Sequence, residues 1–432
     1  MNQYTDKVDF FGGNAPHDLV KRFGSPLYVY NEGILRQCCR EMKALVKYPK
    51  YGVNYTPKAN GNLALLQIIQ SEGLDAEAMS PAEIHINLLA GFGKEQILYV
   101  SNNVSEEEML FAIGKGVLVS VDSLSQLEMF GKLNRGGCVV ARINPGVGAG
   151  HHSKVVTGGD DTKFGINLEL IPKMKEILAK YDLTLVGLNH HIGSGFSDGA
   201  EYIAAAEVAC ETALQFDSLE FIDFGGGFYI NYHKLDGGER YGFDTVGKQI
   251  DELIERFKQR YGREIIFKTE LGRYIVAEAG VLLGHINTIK YNGEKKFIGT
   301  DLGMNVLVRP VMYDSWHDIE VYSTTPSVPK SGTATPPQRG IATVVGNICE
   351  SGDIIAKDRT LPQVCEGDVI GVLDAGAYGY SMCSNYNARL RPAEVLIREN
   401  GEAVLIRRRD TIEDLVRGFD RIEGLFPSKD GN

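Results

Sequence analysis

Residues 51–60 read Tyr-Gly-Val-Asn-Tyr-Thr-Pro-Lys-Ala-Asn, a short apolar run that reaches a lysine just where a helical pattern begins. An amine at the end of a buried strand loses its charge easily, so Lys58 is a candidate nucleophile for a carbonyl carbon. A lysine in such a place is more often a solvated surface charge. The choice between these two interpretations depends on what the rest of the chain supplies.

The chain from Tyr51 to Arg273 alternates short apolar runs with amphipathic, helix-like segments. Eight runs with helical crossovers between them predict an α/β fold, a closed (β/α)8 TIM-like barrel over residues 35–282. The predicted strands are Tyr51–Tyr55, Leu74–Met79, Ile97–Val100, Val117–Val121, Val139–Ile143, Leu185–His191, Leu219–Phe224 and Ile265–Glu270.

The pattern changes after the eighth run, where short alternating runs are punctuated by Gly, Pro and Asn. These runs predict a C-terminal antiparallel β domain, a sandwich or barrel of residues 1–34 and 283–432 that includes Leu27–Tyr30 as an N-terminal strand. We expect Asp314–Gly340 to be a long surface loop and Thr411–Phe419 to be a final helix. The other predicted strands are His285–Tyr291, Lys296–Thr300, Ile319–Tyr322, Ile341–Val345, Val369–Leu373, Glu394–Ile397 and Val404–Arg407.

The 432 residues carry a formal charge of −11, and 43% of them are hydrophobic. The negative charge argues against a nucleic-acid backbone or an anionic membrane as a partner. We see no signal peptide and no apolar run long enough to span a bilayer, so we expect a cytoplasmic protein. The seven cysteines are scattered without metal-ligand spacing, which predicts reduced thiols and no bound metal.

Chemically useful side chains follow several predicted strands, and enzymes with this kind of barrel build their sites at the carboxyl ends of the strands. Lys58 follows the first strand, His191 ends the sixth and Glu270 closes the eighth. Glycines 225–227 follow the seventh, where backbone N–H groups can approach a phosphate. Helix capping explains Ser80 after the second strand, but it does not explain a Lys, a His and a Glu at three separate strand ends.

Each of these residues has a plainer interpretation when it is taken alone. His191 would be a packed core histidine, Glu270 would pair with Arg273, and the glycines would form a flexible turn. Together they provide an amine for an aldehyde, a carboxylate for a ring nitrogen, an imidazole that stacks on the ring and a cradle for a phosphate. Pyridoxal phosphate requires this set of groups, so the sequence predicts pyridoxal 5'-phosphate as cofactor and a small-molecule amino-acid substrate.

The same residues lie in motifs that resemble the fold-type III, pyridoxal-phosphate-dependent amino-acid decarboxylases over nearly the whole chain. Tyr55-Thr56-Pro57-Lys58-Ala59-Asn60 is similar to the cofactor-lysine motif of that family, and Cys349-Glu350-Ser351-Gly352-Asp353 is the most discriminating match. The other motifs are Thr157-Gly158, Lys163-Phe164-Gly165, His191-Ile192-Gly193-Ser194, Glu270-Leu271-Gly272-Arg273, Asp374-Ala375-Gly376-Ala377-Tyr378-Gly379 and Ser384-Asn385-Tyr386-Asn387.

The resemblance implies a role for each site residue. Cys349 is the family's candidate acid for returning a proton to the substrate carbon, although a free cysteine is more often a small buried apolar residue. The implied catalytic residues are Lys58, His191, Glu270 and Cys349. The residues implied to hold the cofactor are Lys58, His191, Ser194, Gly226, Gly227, Glu270, Gly272, Arg273 and Tyr378. The residues implied to contact substrate are Arg273, Arg309, Tyr313, Glu350 and Tyr378.

In the resemblance, Arg273 and Arg309 bind the distal carboxylate of the substrate, and Glu350 binds its distal ammonium. This implies decarboxylation of meso-2,6-diaminopimelate to L-lysine, the last step of lysine biosynthesis, in a homodimer with shared active sites. The chain departs from the family pattern, which indicates a divergent member and leaves the exact substrate open. The departures are Thr56, Pro57, Asn189, Gly195, Leu271 and the pair Pro81-Ala82.

Three other functions remain open. The same scaffold could decarboxylate ornithine, lysine, arginine or carboxynorspermidine, but Arg309 with Glu350 argues against this. A racemase would need a base on each face of the ring, whereas Cys349 with Glu350 suits a decarboxylase. A catalytically inactive homologue would only bind a protein partner, but such relatives usually lose the lysine or the ring-nitrogen carboxylate, and this chain has Lys58 and Glu270.

Overall fold

The computed structural model describes residues 3–100, 102–148, 157–159, 162–196, 199–323 and 340–420. Its strands are β1 (Leu27–Asn31), β2 (Tyr51–Tyr55), β3 (Asp75–Ala78), β4 (Ile97–Val100), β5 (Leu118–Val121), β6 (Cys138–Asn144), β7 (Ile166–Asn167), β8 (Thr184–Asn189), β9 (Phe221–Asp223), β10 (Ile266–Leu271), β11 (Gly280–Asn292), β12 (Lys295–Thr300), β13 (Ile319–Tyr322), β14 (Gly340–Val345), β15 (Ile354–Leu361), β16 (Val369–Val372), β17 (Ala393–Ile397) and β18 (Ala403–Arg407). Its helices are α1 (Tyr4–Lys7), α2 (Pro16–Phe23), α3 (Glu32–Lys43), α4 (Leu63–Ser71), α5 (Pro81–Ala90), α6 (Glu106–Lys115), α7 (Leu124–Leu133), α8 (Ile171–Lys180), α9 (Ala200–Ala213), α10 (Asp244–Tyr261), α11 (Arg273–Val276), α12 (Arg309–Tyr313) and α13 (Ile412–Val416).

Eight parallel strands, β2 to β6 and β8 to β10, close into a barrel. Strand β5 pairs with β6, and β10 pairs with β2, so these eight strands form a closed ring. The predicted (β/α)8 barrel is confirmed, and each predicted strand is present with its ends shifted by a few residues. One placement was wrong, because His191 lies two residues beyond the end of β8 at Asn189.

The inside of the barrel changes character along the strands. Leu98, Val140 and Val186 pack with Phe221 into a buried apolar cluster. Asp223 lies two residues after Phe221 on the same face of β9, because side chains alternate along a strand. Its Oδ2 accepts a hydrogen bond from Asn54 Nδ2 at 3.1 Å. The interior therefore becomes polar toward the carboxyl ends of the strands, where barrel enzymes carry out their chemistry.

Helix caps account for some of the polar residues that follow barrel strands. Ser80 is the N-cap of α5, and its Oγ accepts a hydrogen bond from the Glu83 N–H at 3.2 Å. Ser105 and Glu108 cap each other at the start of α6. These contacts satisfy N–H groups that have no partner inside the helix. Ser80 is thus structural, as capping predicts, and it does not contribute to the site.

A second, mostly antiparallel sheet contains the strand order β15-β14-β12-β11-β1-β17-β18, and β13 and β16 extend it beside β11. The predicted N-terminal strand is confirmed, since β1 lies between β11 and β17. The pairings of β1 with β17 and of β12 with β14 are parallel, and β15 was not predicted. The domain boundaries at residues 34 and 283 stay predictions.

Two other predicted segments differ from the structure. The final helix covers only Ile412–Val416. The predicted loop Asp314–Gly340 contains β13, and its residues 324–339 lie outside the described part of the chain. Among the helices that the structure describes, none is long and apolar enough to cross a bilayer.

A buried ion cluster joins the loop after β9 to the second sheet. Lys234 Nζ lies 3.0 Å from Glu278 Oε1 and also bonds Asp374 Oδ1, and none of the three side chains is more than 5% exposed. Arg240 Nε donates to the other Glu278 oxygen at 2.6 Å. Burial raises the pKa of Asp374 to about 6, although Lys234 opposes the shift. Without the ammonium, Asp374 would remain buried without its nearest cation, and Glu278 would keep Arg240.

We expect Lys234→Met to lower the free energy of unfolding by about 3–5 kcal/mol, because breaking a buried ion pair leaves uncompensated charge. Methionine keeps most of the side-chain length and removes only the charge. Urea denaturation of both proteins measures the loss. Lys50→Met is the matched control, since Lys50 and Glu264 pair at 3.2 Å with side chains 50% and 53% exposed, and its loss should be far smaller. Equal losses of unfolding free energy in Lys234→Met and Lys50→Met would show that the buried cluster contributes no more than a surface ion pair.

Candidate active site

Lys58 lies three residues beyond β2, at the carboxyl end of the barrel. Its Nζ is 3.1 and 3.2 Å from the two carboxylate oxygens of Glu77, and its side chain is 35% exposed. Burial opposes the charged amine, but Glu77, Tyr378 and Glu270 outweigh it and raise the pKa of Lys58 above its usual value. The structure therefore holds Lys58 as an ammonium that Glu77 keeps at the mouth of the barrel.

Glu77 was not predicted from the sequence as a site residue. It lies in β3 and is 1% exposed. A signal was present, because a carboxylate inside a short buried strand is costly unless it is paired. Glu270 was predicted instead from its place at the end of a strand, and the alternation of β3 did not tell which side chain would meet Glu77.

Glu270 lies near the end of β10 and is 4% exposed. Its Oε1 has no hydrogen-bond partner among the described residues. Burial raises the pKa of Glu270 well above its ordinary value, and repulsion from Glu77 and Asp223 acts in the same direction, while Lys58 and Arg142 oppose it. A buried carboxyl group in this position calls for a donor, and a protonated ring nitrogen would supply one.

His191 is held as a neutral imidazole. Its Nδ1 accepts a hydrogen bond from the Gly226 N–H at 3.2 Å, so the ring proton lies on Nε2. Burial lowers the pKa of His191 well below its ordinary value, and the charges of Lys58 and Arg142 act in the same direction. A neutral ring beside Lys58 suits the stacking role predicted for His191.

Glycines 225–227 pass so close to neighbouring backbone that a side chain would not fit. A Cβ on Gly226 would lie 1.7 Å from the Glu270 carbonyl oxygen. Gly227 has a φ of +120°, and a Cβ there would lie 2.4 Å from the Gly193 carbonyl oxygen. The glycines therefore allow the turn after β9 to pack against the ends of both neighbouring strands. This turn borders the position predicted for the phosphate.

Arg273 begins α11 and is buried. Its Nη2 lies 3.1 Å from Ser194 Oγ, and its Nη1 donates to Tyr232 Oη at 2.9 Å. Its Cζ is 5.1 Å from the centre of the Tyr378 ring. In the described part of the chain, no carboxylate pairs with Arg273. The predicted residues Ser194, Arg273 and Tyr378 are thus together, and the guanidinium charge remains without an acidic partner.

Arg309 begins α12 and is 2% exposed. Its Nη1 lies 2.8 Å from His317 Nε2, and its Cζ is 4.9 Å from the centre of the Tyr232 ring. Tyr232, which was not predicted, therefore contacts both buried arginines. Tyr313 lies at the other end of α12 and is half-buried. Within the described ranges, Arg309 also has no carboxylate partner.

Cys349 and Glu350 are exposed and do not lie in the cavity that Lys58 lines. The Cys349 N–H donates to Asn387 Oδ1 at 3.1 Å, and Tyr386 Oη donates to Glu350. The single chain therefore does not bring these two predicted residues to the other site residues.

A cavity opens between the predicted cofactor residues. An amine, an unpartnered buried carboxyl oxygen, a neutral imidazole, a glycine turn and a buried guanidinium meet there. These groups fit the aldehyde, the ring nitrogen, the ring face and the phosphate of pyridoxal phosphate. The cavity is lined by Thr56, Lys58, His191, Ser194, Gly227, Phe228, Glu270, Leu271, Gly272, Arg273, Tyr274 and Tyr378.

Residues 32–277 match the family model described as the pyridoxal-binding domain of pyridoxal-dependent decarboxylases. The barrel, the site and this match agree, and the chain belongs to the pyridoxal-dependent decarboxylase family. It is a carboxy-lyase, and its cofactor is pyridoxal phosphate.

Within that family, the chain is similar to several diaminopimelate decarboxylases. The chain is 40% identical to the diaminopimelate decarboxylase of Methanothermobacter thermautotrophicus over 94% of each chain. It is 36% identical to that of Archaeoglobus fulgidus, over 92% of this chain and 94% of the relative. The crystal structure of diaminopimelate decarboxylase from Helicobacter pylori complexed with L-lysine superposes with a TM-score of 0.83 at 29% identity, covering 93% of this chain and 98% of the other.

His190, beside the site histidine, makes folding sensitive to acid. It is fully buried, and neither ring nitrogen has a hydrogen-bond partner among the described residues. Burial lowers the pKa of His190 to about 3. The unfolded chain takes up this proton below about pH 6.5, whereas the folded chain does so only near pH 3. Acid therefore favours unfolding between these two values.

On acidification from about pH 7 to about pH 5, we expect the free energy of unfolding of the wild type to fall. The fall in the His190→Leu variant should be about 2 kcal/mol smaller. This follows from ~1.4 kcal/mol per pH unit over the ~1.5 units below the unfolded pKa. Leucine has a similar volume and no unpaired nitrogen, so the fold should tolerate it at neutral pH. Urea denaturation at the two pH values measures the difference. An identical pH dependence in both proteins would disprove the assignment to His190.

Proposed function

We propose that this enzyme removes carbon dioxide from one end of meso-2,6-diaminopimelate and releases L-lysine, the last step of lysine biosynthesis. One observation carries the substrate assignment. Arg273 and Arg309 are both buried, both contact Tyr232, and neither has a carboxylate partner in the described part of the chain. Two buried cations without counter-ions call for two anions from outside the chain. The cofactor phosphate supplies one anion, and a substrate carboxylate that survives the reaction supplies the other.

The stereochemistry of the product determines which carboxylate is kept. L-lysine retains the L centre of the substrate, so the carboxylate leaves from the D centre and the carboxylate on the L centre is the distal one. We assign the distal carboxylate to Arg309 and Tyr313, with Arg273 nearby, because a guanidinium grips a carboxylate through two parallel hydrogen bonds. Glu350 takes the distal ammonium.

The residues of the cavity have distinct tasks in the reaction. Pyridoxal phosphate, when bound, supplies an electron sink for the pair of electrons that the departing carboxylate leaves behind. Lys58 would hold the cofactor at its aldehyde carbon, and Glu270 would keep a proton at the ring nitrogen. His191 would pack on one face of the ring. The phosphate end would be held by Ser194, Gly226, Gly227, Gly272, Arg273 and Tyr378.

The proton that must return to the substrate carbon comes from Cys349 Sγ, because a thiol can act as a general acid. Cys349 and Glu350 are exposed and away from the cavity of their own chain. We therefore propose a homodimer in which these two residues enter the site of the partner subunit. We place the enzyme in the cytoplasm, where its seven cysteines would stay reduced.

The decisive experiment is a carbon dioxide assay on the purified holoenzyme. The panel contains meso-diaminopimelate, ornithine, lysine, arginine and carboxynorspermidine. Release from meso-diaminopimelate alone, with L-lysine as product, supports the proposal. Release from another member of the panel would identify a different substrate, and a change in optical rotation without carbon dioxide release would indicate a racemase. No reaction with any member would favour a binding protein.

Arg309→Ala should raise the KM for meso-diaminopimelate roughly 10- to 100-fold, because a hydrogen-bonded charge contact contributes about 1.5–3 kcal/mol. Inhibition by L-lysine, which keeps the distal carboxylate, should weaken in parallel. Inhibition by cadaverine, which has no carboxylate, should not change. Steady-state kinetics with both inhibitors measure these effects. If Arg309→Ala leaves the use of meso-diaminopimelate unaffected, the assignment of the carboxylate clamp is wrong.

A further inference from the structure

The orientation of Arg309 depends on a histidine that has no place in the predicted site. Arg309 Nη1 lies 2.8 Å from His317 Nε2, and His317 Nδ1 lies 2.7 Å from the Leu373 carbonyl oxygen. A guanidinium only donates hydrogen bonds, and a carbonyl oxygen only accepts them. The proton of His317 therefore lies on Nδ1, and Nε2 is the acceptor for Arg309. The two partners together determine one tautomer and one ring orientation.

His317 is also held without charge. It is fully buried, and its ring meets the Tyr232 ring edge-on with centroids 5.2 Å apart. Burial lowers the pKa of His317 well below its ordinary value, and the charges of Arg309, Arg273 and Arg359 act in the same direction, against the opposing bond to Leu373. The partner of Arg309 is thus a neutral acceptor, which positions the guanidinium and leaves its charge uncompensated.

An acidic residue lies next to His317 in the chain but is used elsewhere. Asp318 Oδ1 accepts from Trp316 Nε1 at 2.9 Å, and Oδ2 accepts from the Leu235 N–H at 2.8 Å. Both carboxylate oxygens of Asp318 therefore have partners other than Arg309. The neutral His317, and not the neighbouring carboxylate, contacts Arg309.

We propose that His317 is a positioning residue for substrate specificity: it aims Arg309 and leaves the guanidinium charge for the distal carboxylate of the substrate. The inference rests on the proposed function, because it assumes that Arg309 binds that carboxylate. A carboxylate at position 317 would pair with Arg309 inside the chain and compete with the substrate. An apolar residue would leave Arg309 without its acceptor and free to turn.

The test compares His317→Glu, His317→Leu and His317→Gln in the holoenzyme. We expect the Glu variant to raise the KM for meso-diaminopimelate at least tenfold and the Leu variant to raise it several-fold. The Gln variant should stay close to the wild type, since an amide can both accept from Arg309 and donate to Leu373. The kcat and the cofactor absorbance should change little in all three variants. A merely structural defect would alter both, so these readouts distinguish a positioning role from a structural one.

Calorimetric titration of each holoenzyme with L-lysine and with cadaverine gives a readout that does not depend on turnover. Binding of L-lysine should weaken in the order Gln, Leu, Glu, while binding of cadaverine stays constant. If the Glu variant fails to fold, the Leu and Gln variants decide the question. Equal KM values in these variants and the wild type, or equal losses for both ligands, would overturn the role of His317. Failure of the wild type to act on meso-diaminopimelate would instead overturn the proposed function.

Discussion

Lys58→Ala is expected to abolish carbon dioxide release, with a loss on the order of 10⁴-fold or more, as is usual when a covalent catalytic group is removed. The fold should survive, because the Lys58 side chain is 35% exposed and its ion pair with Glu77 lies at the barrel mouth. Alanine removes the amine that binds the cofactor aldehyde, so no residue can hold the cofactor covalently. The structure places no other lysine of the described chain in the cavity lining.

Borohydride reduction followed by peptide mass mapping provides the second measurement. The wild type should carry the reduced cofactor on Lys58, and the alanine variant should carry none. Lys115→Ala, at the exposed end of α6, is the control and should behave as the wild type in both assays. A label at a different lysine, or substantial turnover by Lys58→Ala, would disprove the central assignment.

Glu270→Gln is expected to lower kcat by ~10²- to 10⁴-fold while the cofactor still binds. The amide has the shape of the carboxylate but cannot hold a proton on the ring nitrogen, so the electron sink is weakened. Oε1 of Glu270 has no partner among the described residues and is therefore available for this role. Steady-state kinetics together with the absorbance of the bound cofactor separate loss of catalysis from loss of binding.

The control for this variant is Glu264→Gln, which changes an exposed carboxylate of an ion pair two residues before the start of β10. Its kcat should equal that of the wild type. A kcat for Glu270→Gln within a few-fold of the wild type would mean that the ring nitrogen does not depend on this carboxylate. Glu77, the buried carboxylate beside Lys58, would then be the next candidate for this role.

The barrel was predictable because its strands are short, buried on both faces and separated by long amphipathic segments. Strand β15 was missed because its burial does not alternate regularly along Ile354–Leu361. Two register shifts against β14 interrupt the period of two on which strand prediction depends. The two parallel pairings in the second sheet were also not predicted, since alternation indicates which face is buried and not the direction of the neighbouring strand.

The site shows a similar division. Lys58, His191 and Glu270 were found because each ends or follows a barrel strand, and closure of the barrel brings such positions together. Tyr232 and His317 were missed because nothing in their local sequence marks them. Tyr232 matters through its contacts with Arg273 and Arg309, and His317 matters through its contact with Arg309.

Chain pattern was sufficient to predict the barrel, the second sheet, the cofactor and a set of residues proposed to hold it, because periodicity and strand-end position are properties of neighbouring residues. Folding in three dimensions added the pairing of Lys58 with Glu77, the neutral partner of Arg309 and the distance of Cys349 from the cavity of its own chain. Such features depend on how deeply a side chain is buried and on which other side chain contacts it. Both are set by residues far apart in the chain, so local pattern does not contain them.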